Sequence, residues 1–299
     1  MYIINLNPKQ SERRAVSHLT GLSETDFLPN FILSNEVKKY QQEISSIIQD
    51  YKLKFLVDTK NFSKNELPDL IQYINSVSSN ISLVYNLDNL SNNTVVSDFL
   101  KISLTELNPI VSNWLVSDSQ DIPQNIIFDF GYISKMPTIE DINKVSGAIR
   151  RLNTKNIIIS SGAVPDVVPV KREENYSLQR YEKLLFNELQ TLTHKKLIYS
   201  DYGTIHPLPM GKGFTATVQI KYTTSDNYIF VRNGQFRGNY KLFPVANEIC
   251  KHPIFDENHC WGEQLIQEIH VTGNNQGNPS IWVSIGLNHH IQLCIDETR

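Results

Sequence analysis

Cysteine is scarce in this 299-residue chain, and the three that occur, Cys250, Cys260 and Cys294, are an odd number without a short metal-ligand spacing. That pattern argues against a disulfide framework and for reduced thiols in a cytosol. Long apolar runs are missing too. No window approaches the ~20 apolar residues of a membrane span, and the opening Met1-Tyr2-Ile3-Ile4-Asn5-Leu6-Asn7 is too short for a signal peptide and lacks its basic start. Charge of one sign is not in excess. A net charge of −3 and a pI near 6.2 give no overall attraction to phosphate backbones or anionic membranes, which leaves nucleic acid as the least favoured partner and predicts no membrane association. Gly and Pro stand at 13 each beside 40% hydrophobic and 20% charged residues, which excludes a collagen-like or disordered chain. No Ser-His-Asp order, Walker loop, dinucleotide fingerprint or zinc-protease pair is present, which argues against several common enzyme classes. Together these absences predict a soluble, cytoplasmic, globular protein.

What is present is an alternation. Short β-rich apolar runs occur at Tyr2 to Leu6, Phe27 to Leu33, Lys54 to Val57, Ile81 to Tyr85, Trp114 to Val116, Ile126 to Phe130, Ile157 to Ile159 and Leu197 to Tyr199. Amphipathic stretches separate them, around 9–20, 35–50, 64–78, 92–103, 138–151 and 177–192. In the second, Val37, Tyr40, Ile44, Ile47 and Ile48 recur at helical steps with Ser34-Asn35 placed to cap the start. Ser63 to Glu66 fits a capping box, with Pro68 in the first turns. Eight strands alternating with helices imply right-handed crossovers and a parallel sheet. The spacing predicts an α/β fold, a (β/α)8 TIM-barrel-like body over 1–204, irregular at its fifth unit, where too few residues separate Val116 from Ile126 for a full helix. An open doubly wound sheet is the alternative.

Beyond Tyr199 the pattern changes. Thr215 to Tyr222 and Tyr228 to Arg232 alternate around a short polar turn and predict an antiparallel hairpin. Helices near 239–252 and 260–269 follow, then a Gly/Asn-rich stretch at 273–279 and a last apolar run from Ile281 to Ile295. Residues 205–299 are expected to form an α+β appendage packed on the barrel.

Function in a parallel barrel sits where the strands end. The polar residues there are Asn7, Asp58, Lys60, Asn86, Asp88, Asp118, Asp129, Ser160, Ser161 and Asp201. Several acids on one rim could hold a divalent metal or divide acid and base roles, and the same residue types also cap helices. Asp129 and Asp201 stand out because each ends a strongly apolar strand, where a carboxylate is costly unless paired, hydrated or used. Lys9 and Glu12 lie one helical turn apart and suit either a surface pair or the rim. Gly211-Lys212-Gly213 lacks the glycine pattern of a phosphate loop and reads as a turn. In Asn288-His289-His290 the adjacent side chains diverge, and His290 with Cys294 supplies only two ligands, too few for a metal site. His206, Arg232 and Arg237 suit an anionic group or a structural tie. Lys221, Tyr222, Tyr228, Phe230, Arg232, Phe236 and Arg237 offer a hairpin face for stacking nucleic-acid bases, although alternation buries half of them.

Several motifs in the C-terminal half occur in a recognisable order: Asp201-Tyr202-Gly203-Thr204-Ile205-His206-Pro207, Ile220-Lys221-Tyr222-Thr223-Thr224, Trp261-Gly262-Glu263 and Gly286-Leu287-Asn288-His289-His290. In this the chain resembles the phage-type beta protein family. Lys9-Gln10-Ser11-Glu12 is similar to that family's Lys-x-Gly-Glu start, with Ser11 in place of the glycine, and Trp261 follows Cys260 where the family tends to have serine. The resemblance implies an association with phage satellites and defence loci, where the beta protein is partnered with a toxic gene product and relieves its toxicity. It names no catalytic residue.

Two functions follow as expectations. One is a component of a phage-defence or toxin-immunity locus that binds a protein encoded by a neighbouring gene, with Tyr202, Trp261, Asn288 and His289 among the contact candidates. The other is a metal-assisted hydrolase of phosphate esters or nucleotides, with Asp129 and Asp201 converging at the barrel mouth.

Overall fold

The computed structural model describes residues 1–89, 99–117, 122–152, 155–208, 217–234, 241–274 and 277–299. In chain order its elements are β1 (Tyr2–Leu6), α1 (Gln10–Ser17), β2 (Phe27–Ile32), α2 (Val37–Asp50), β3 (Phe55–Asp58), α3 (Leu67–Val77), β4 (Ile81–Asn86), β5 (Phe99–Ser103), α4 (Pro109–Leu115), β6 (Asn125–Tyr132), α5 (Ile139–Arg151), β7 (Asn156–Gly162), β8 (Tyr176–Gln179), α6 (Tyr181–Thr193), β9 (Ile198–Asp201), β10 (Gln219–Thr223), β11 (Asn227–Arg232), α7 (Phe243–Ile249), α8 (Trp261–Thr272) and α9 (Pro279–Thr298). None of the described helices is long and apolar enough to cross a membrane.

The chain divides into two compact units that are interleaved in sequence. The first is Met1–Pro8, Ser23–Gly162 and Tyr181–Tyr202; the second is Lys9–Leu22, Ala163–Arg180 and Gly203–Arg299. A single boundary at 204/205 therefore misplaces 9–22 and 163–180, because neither periodicity nor composition records which distant segment a helix packs against.

In the first unit, β1-β2-β3-β4-β5-β6-β7-β9 close into a barrel in which the strand pairs are parallel. This is the expected (β/α)8 architecture, and the open sheet is excluded. The fifth strand is a correction: it is β5 at Phe99–Ser103, inside the stretch read as a helix around 92–103, of which 92–98 lie outside the described residues. Trp114 to Val116, read as a strand, is the end of α4. Asn108 caps that helix, its side-chain oxygen accepting from the Val111 N–H at 3.0 Å, and Pro109 opens the first turn. A short apolar run does not distinguish helix from strand, and Lys101 in the middle of β5 gives its segment an amphipathic look.

Two apolar layers hold this unit together. Inside the barrel, Ile3, Leu28, Leu56, Val84, Phe99, Ile127 and Ile158 form a floor, with Ile198 packed against it. Outside, Leu100, Ile102, Ile126, Phe128, Ile157 and Ile159 meet Val145 and Ile149 of α5 and Leu185 and Leu189 of α6. Strand alternation sends odd and even residues to these two layers. At α5 the Thr138 hydroxyl accepts from the Asp141 N–H at 3.2 Å and donates to its carboxylate at 2.7 Å. Thr138→Ala is expected to cost about 1 kcal/mol, read from the urea midpoint. The Ser63–Glu66 box forms as a turn just before α3, the Ser63 N–H and hydroxyl both donating to Glu66 at 2.7 and 2.8 Å. Ser34 accepts from the Glu36 N–H at 3.3 Å, whereas the residue capping α2 is Glu36 itself.

In the second unit the expected hairpin is β10 and β11, joined at its β11 edge by β8, a strand that overlaps the start of the stretch read as the 177–192 helix. Its core is Val218, Ile220, Tyr222, Val245, Ile249, Ile266, Ile269, Trp282 and Ile285. Helix α1 joins this unit through α9: the Ser284 hydroxyl donates to the Ser11 carbonyl at 2.9 Å, and the Asn288 amide to the Ala15 carbonyl at 2.9 Å.

Candidate functional site

Two residues beyond each floor residue, every barrel strand carries a polar side chain. Ile3 is followed by Asn5, Leu28 by Asn30, Leu56 by Asp58, Val84 by Asn86, Phe99 by Lys101, Ile127 by Asp129, Ile158 by Ser160 and Ile198 by Ser200. Period-two alternation puts this ring on the inner face, at the C-terminal end where barrel sites lie. Barrel interiors are usually filled by branched apolar layers, so a polar layer here departs from what packing alone demands.

The ring is one network. Asn5 donates to Ser160 Oγ at 3.1 Å, Ser200 Oγ at 3.3 Å and the Asp201 carbonyl at 2.9 Å. Its Oδ1 accepts from Asn30 at 2.8 Å and from Lys101 at 3.3 Å. Lys101 Nζ lies 2.5 Å from Asp58 Oδ2 and 3.7 Å from Asp129 Oδ2. Asp58 Oδ1 accepts from the Asn86 amide at 3.3 Å and the Lys60 N–H at 2.9 Å. Above the ring, the Tyr202 hydroxyl donates to Asp129 Oδ2 at 2.6 Å, and the Gly131 N–H donates to Asp129 Oδ1 at 3.1 Å. The Lys101 ammonium also lies 5.9 Å from the Tyr202 ring centre.

Burial alone would raise the Asp58 pKa, but the Lys101 charge and hydrogen bond reverse it and hold the carboxyl below the usual range. Burial works against the Lys101 cation as well, and Asp58, Tyr202 and Asp129 overcome it, so its pKa is raised. Burial and then Asp129 push the Tyr202 phenol well above its ordinary value, leaving it a neutral donor. Lys60 is lowered, by desolvation first and Lys101 second. Lys101 is therefore a fixed cation, unsuited to serve as a neutral nucleophile. Asp129, with its side chain 13% exposed, is the more accessible of the two carboxylates. Asn30 is buried, and its Oδ1 accepts no hydrogen bond among the described residues.

Of the residues expected at the rim, Asp58, Asn86, Asp129 and Ser160 enter the ring, and Tyr202 stands over it. Asp201 does not. It neighbours Ser200 on β9 and so faces the other side of the wall, where Tyr2 and Tyr199 donate to it at 2.5 and 3.0 Å and the Tyr199 ring meets Phe186 of α6. Asp129 and Asp201 thus lie on opposite faces of the barrel wall, and the expected convergence of the pair is corrected by strand parity. Ser161 is outside for the same reason. Asp88 sits in the single turn Leu87–Asn89 after β4, Asn7 just past β1, and Asp118 outside the described residues. The residues missed are Asn5, Asn30, Lys101 and Ser200. Their signal is the repeated apolar-x-polar step at the strand ends, which is legible only once β5 is placed.

The other candidates belong to the second unit. Lys9 is exposed at the start of α1, and Glu12 is buried within that helix. His206 is half-buried, its Nδ1 accepting from the Leu208 N–H at 3.1 Å. Arg232 donates to the Val170 and Lys171 carbonyls at 3.2 and 2.8 Å, a structural tie from β11 to the segment before β8. Arg237, Phe236 and Gly211-Lys212-Gly213 lie outside the described residues. On the hairpin, Tyr222, Tyr228 and Phe230 are buried, which removes them from any base-stacking face. Trp261 stacks on His18 at 4.1 Å. Asn288 accepts from the Gly262 N–H at 2.9 Å, and His289 is buried against Tyr222, their rings stacked at 4.1 Å.

No curated protein and no solved structure matches the chain. The sequence model of one family, described as Beta protein, matches residues 97–296. That span includes Lys101, Asp129, Ser160 and Ser200 of the ring and most of the second unit, while Asn5, Asn30, Asp58, Asn86 and the Lys9 to Glu12 segment precede it. A match over more than half of the chain, carrying the motifs from Asp201 to His290 that suggested the resemblance, shows that the chain belongs to the Beta protein family.

Proposed function

We propose that the barrel mouth is a small-molecule site of acid–base type, acting on a compact polar substrate of the phosphate-ester or nucleotide class. The observation that carries this reading is the closed polar ring over an apolar floor, with the Lys101 cation fixed between Asp58 and Asp129. Asp129, which takes its hydrogen bonds from Tyr202 and Gly131, is the proton-handling group. Lys60 and Lys101 supply positive charge for an anionic substituent, and the unmet Asn30 Oδ1 offers an acceptor to a substrate hydroxyl or amine.

The metal-assisted form of the reading fits these residues poorly. A divalent ion bridging Asp58 and Asp129 would need the space between them that the Lys101 ammonium fills, and Asp201 faces away.

The test is a thermal-shift and turnover survey of nucleotides and sugar phosphates with wild type, Asp129→Asn and Tyr202→Phe. One compound class is expected to stabilise wild type, with turnover falling about 10²–10⁴-fold in Asp129→Asn. Tyr202→Phe is expected to remain folded and to bind more weakly. Absence of any shift or turnover across the survey, together with copurification of a neighbouring gene product, would sink the small-molecule reading. It would favour instead the role in a defence or immunity locus through a partner protein, which rests on the family resemblance alone.

A further inference from the structure

In the second unit, far in sequence from most of the ring, four side chains that all ligate transition metals turn toward one point. His259, Cys260, Glu263 and His289 each offer a donor atom, and the four atoms lie within 4.8 Å of one another. Cys260 caps α8, with His259 just before it and Glu263 in the first turn, while His289 projects from the middle of α9.

The outer contacts orient these groups inward. His289 Nε2 lies 2.7 Å from the Thr223 carbonyl, which can only accept, so the ring proton sits on Nε2 and the Nδ1 lone pair faces the cluster. His289 is 2% exposed, and among the described residues its Nδ1 has no partner at hydrogen-bonding distance; the nearest ligand oxygen, Glu263 Oε1, is 3.6 Å away. A buried ring nitrogen left bare is costly unless something binds it. His259 is held between two carboxylates, donating from Nε2 to Asp296 at 2.9 Å and from Nδ1 to Glu263 Oε2 at 3.0 Å, so a metal would take the place of the Nδ1 proton while Asp296 keeps the distal N–H. Glu263 is anchored through its other oxygen, which accepts from the Tyr222 hydroxyl at 2.5 Å and from the Asp256 N–H at 3.4 Å. Cys260 Sγ is 4.0 Å from Glu263 Oε2. Histidines whose distal N–H is held by a carboxylate or carbonyl are the usual outer arrangement of a bound metal.

We propose that His259, Cys260, Glu263 and His289 form a transition-metal site of the zinc class. Two imidazoles, a thiolate and a carboxylate match the borderline-soft preference of Zn²⁺, whose tetrahedral shell with bonds of about 2.0–2.3 Å places donors roughly 3.3–3.8 Å apart. Small side-chain movements from the observed spacing reach that geometry. Four protein ligands leave no open coordination position, so the site is structural: it clips the α8 start to α9, and through Tyr222 and Thr223 to β10.

The full-length protein would be purified without chelator and its metal content measured by inductively coupled plasma mass spectrometry. The metal-stripped protein would then be titrated with Co²⁺ and Zn²⁺. A single zinc-class ion per chain is expected, with a thiolate-to-cobalt charge-transfer band and intense tetrahedral d–d absorption in the Co²⁺ form. Cys260→Ala should lose the ion and the charge-transfer band, Cys250→Ala should keep both, and Asp296→Asn should weaken binding about 10–100-fold. Should Cys260→Ala fail to accumulate, the wild-type Co²⁺ spectrum and Asp296→Asn decide alone. Purified protein that carries no such ion and whose stripped form gives no cobalt spectrum overturns the proposal, as does a Co²⁺ spectrum unchanged in Cys260→Ala.

Discussion

Replacing Lys101 by methionine is expected to lower the unfolding free energy by about 3–5 kcal/mol, the cost of leaving a buried carboxylate without its counter-ion. Lys101 is only 4% exposed, and it contacts Asp58, Asp129 and Asn5 together. Removing it strands Asp58 in the barrel with only neutral amides and Lys60 to answer its charge. The pH dependence distinguishes this account from simple loss of packing. In wild type the Asp58 pKa is held below its unfolded value of ~3.9, so its contribution is fully present above that value and is lost as pH falls through the lower folded value. In Lys101→Met, desolvation is left largely unopposed and the folded pKa rises above the unfolded one. The folded state then binds the extra proton, and stability should increase as the pH is taken from neutral toward acid, opposite to wild type. Asp58→Asn combined with Lys101→Met should recover much of the loss, because a neutral pair carries no unpaired charge. Urea midpoints at neutral and mildly acidic pH measure all three. A single variant with an unchanged midpoint would mean that the ring is hydrated and its ion pair contributes little.

Gly286→Ala is expected to destabilise by about 1–3 kcal/mol, although alanine is the better helix former. Helix α9 crosses β10 so closely at this point that a Cβ on residue 286 would sit 2.6 Å from the Lys221 carbonyl oxygen, a backbone atom that cannot rotate away. Gly262 is the counterpart on α8, where a Cβ would lie 2.5 Å from the Ile285 carbonyl oxygen. Gly147 in α5 supplies the control, since a Cβ there meets nothing within 4 Å. Gly147→Ala should stabilise by about 0.5–1 kcal/mol through helix propensity alone. Opposite signs for two helical Gly→Ala changes, read as shifts in thermal midpoint, would establish that close approach is what requires glycine at 286. If Gly286→Ala were neutral, α9 would have room to move away from β10.

These contacts account for much of the family motif in physical terms. Gly262, Gly286 and Asn288 let α8, α9 and β10 approach, and the Asn288 amide carries the link on to the Ala15 carbonyl of α1. The N-terminal Lys9 to Glu12 segment and the C-terminal Asn288-His289-His290 are far apart in sequence but belong to one unit. Adjacency in the chain was a poor guide to the histidines. His289 and His290 do diverge as expected, but His289 meets partners on α8, a helix earlier, which a count of local ligands does not reveal.

The sequence by itself determined the barrel. Seven of its eight strands are legible as short apolar runs, because a parallel strand buried on both faces must be apolar, and the intervening 3.6-residue periodicities mark most of the helices that cover it. It also placed Asp58 and Asn86 at the ends of their strands and Asp129 and Ser160 in the C-terminal halves of theirs, β6 and β7 running on to Tyr132 and Gly162. Only the tertiary structure decided which strand-end residues share a face: one step along β9 separates Ser200, inside, from Asp201, outside, and a period of two makes that step the difference between ring and outer wall. It alone placed Lys101, since a lysine within a short apolar run is locally consistent with a helix and becomes a strand residue only when Asp58 and Asp129, far away in the chain, arrive to pair with it. The physical reason is the same in each case. Apolar periodicity is a local property of the chain, whereas pairing a buried charge or filling the gap beside a glycine depends on residues that the sequence keeps far apart.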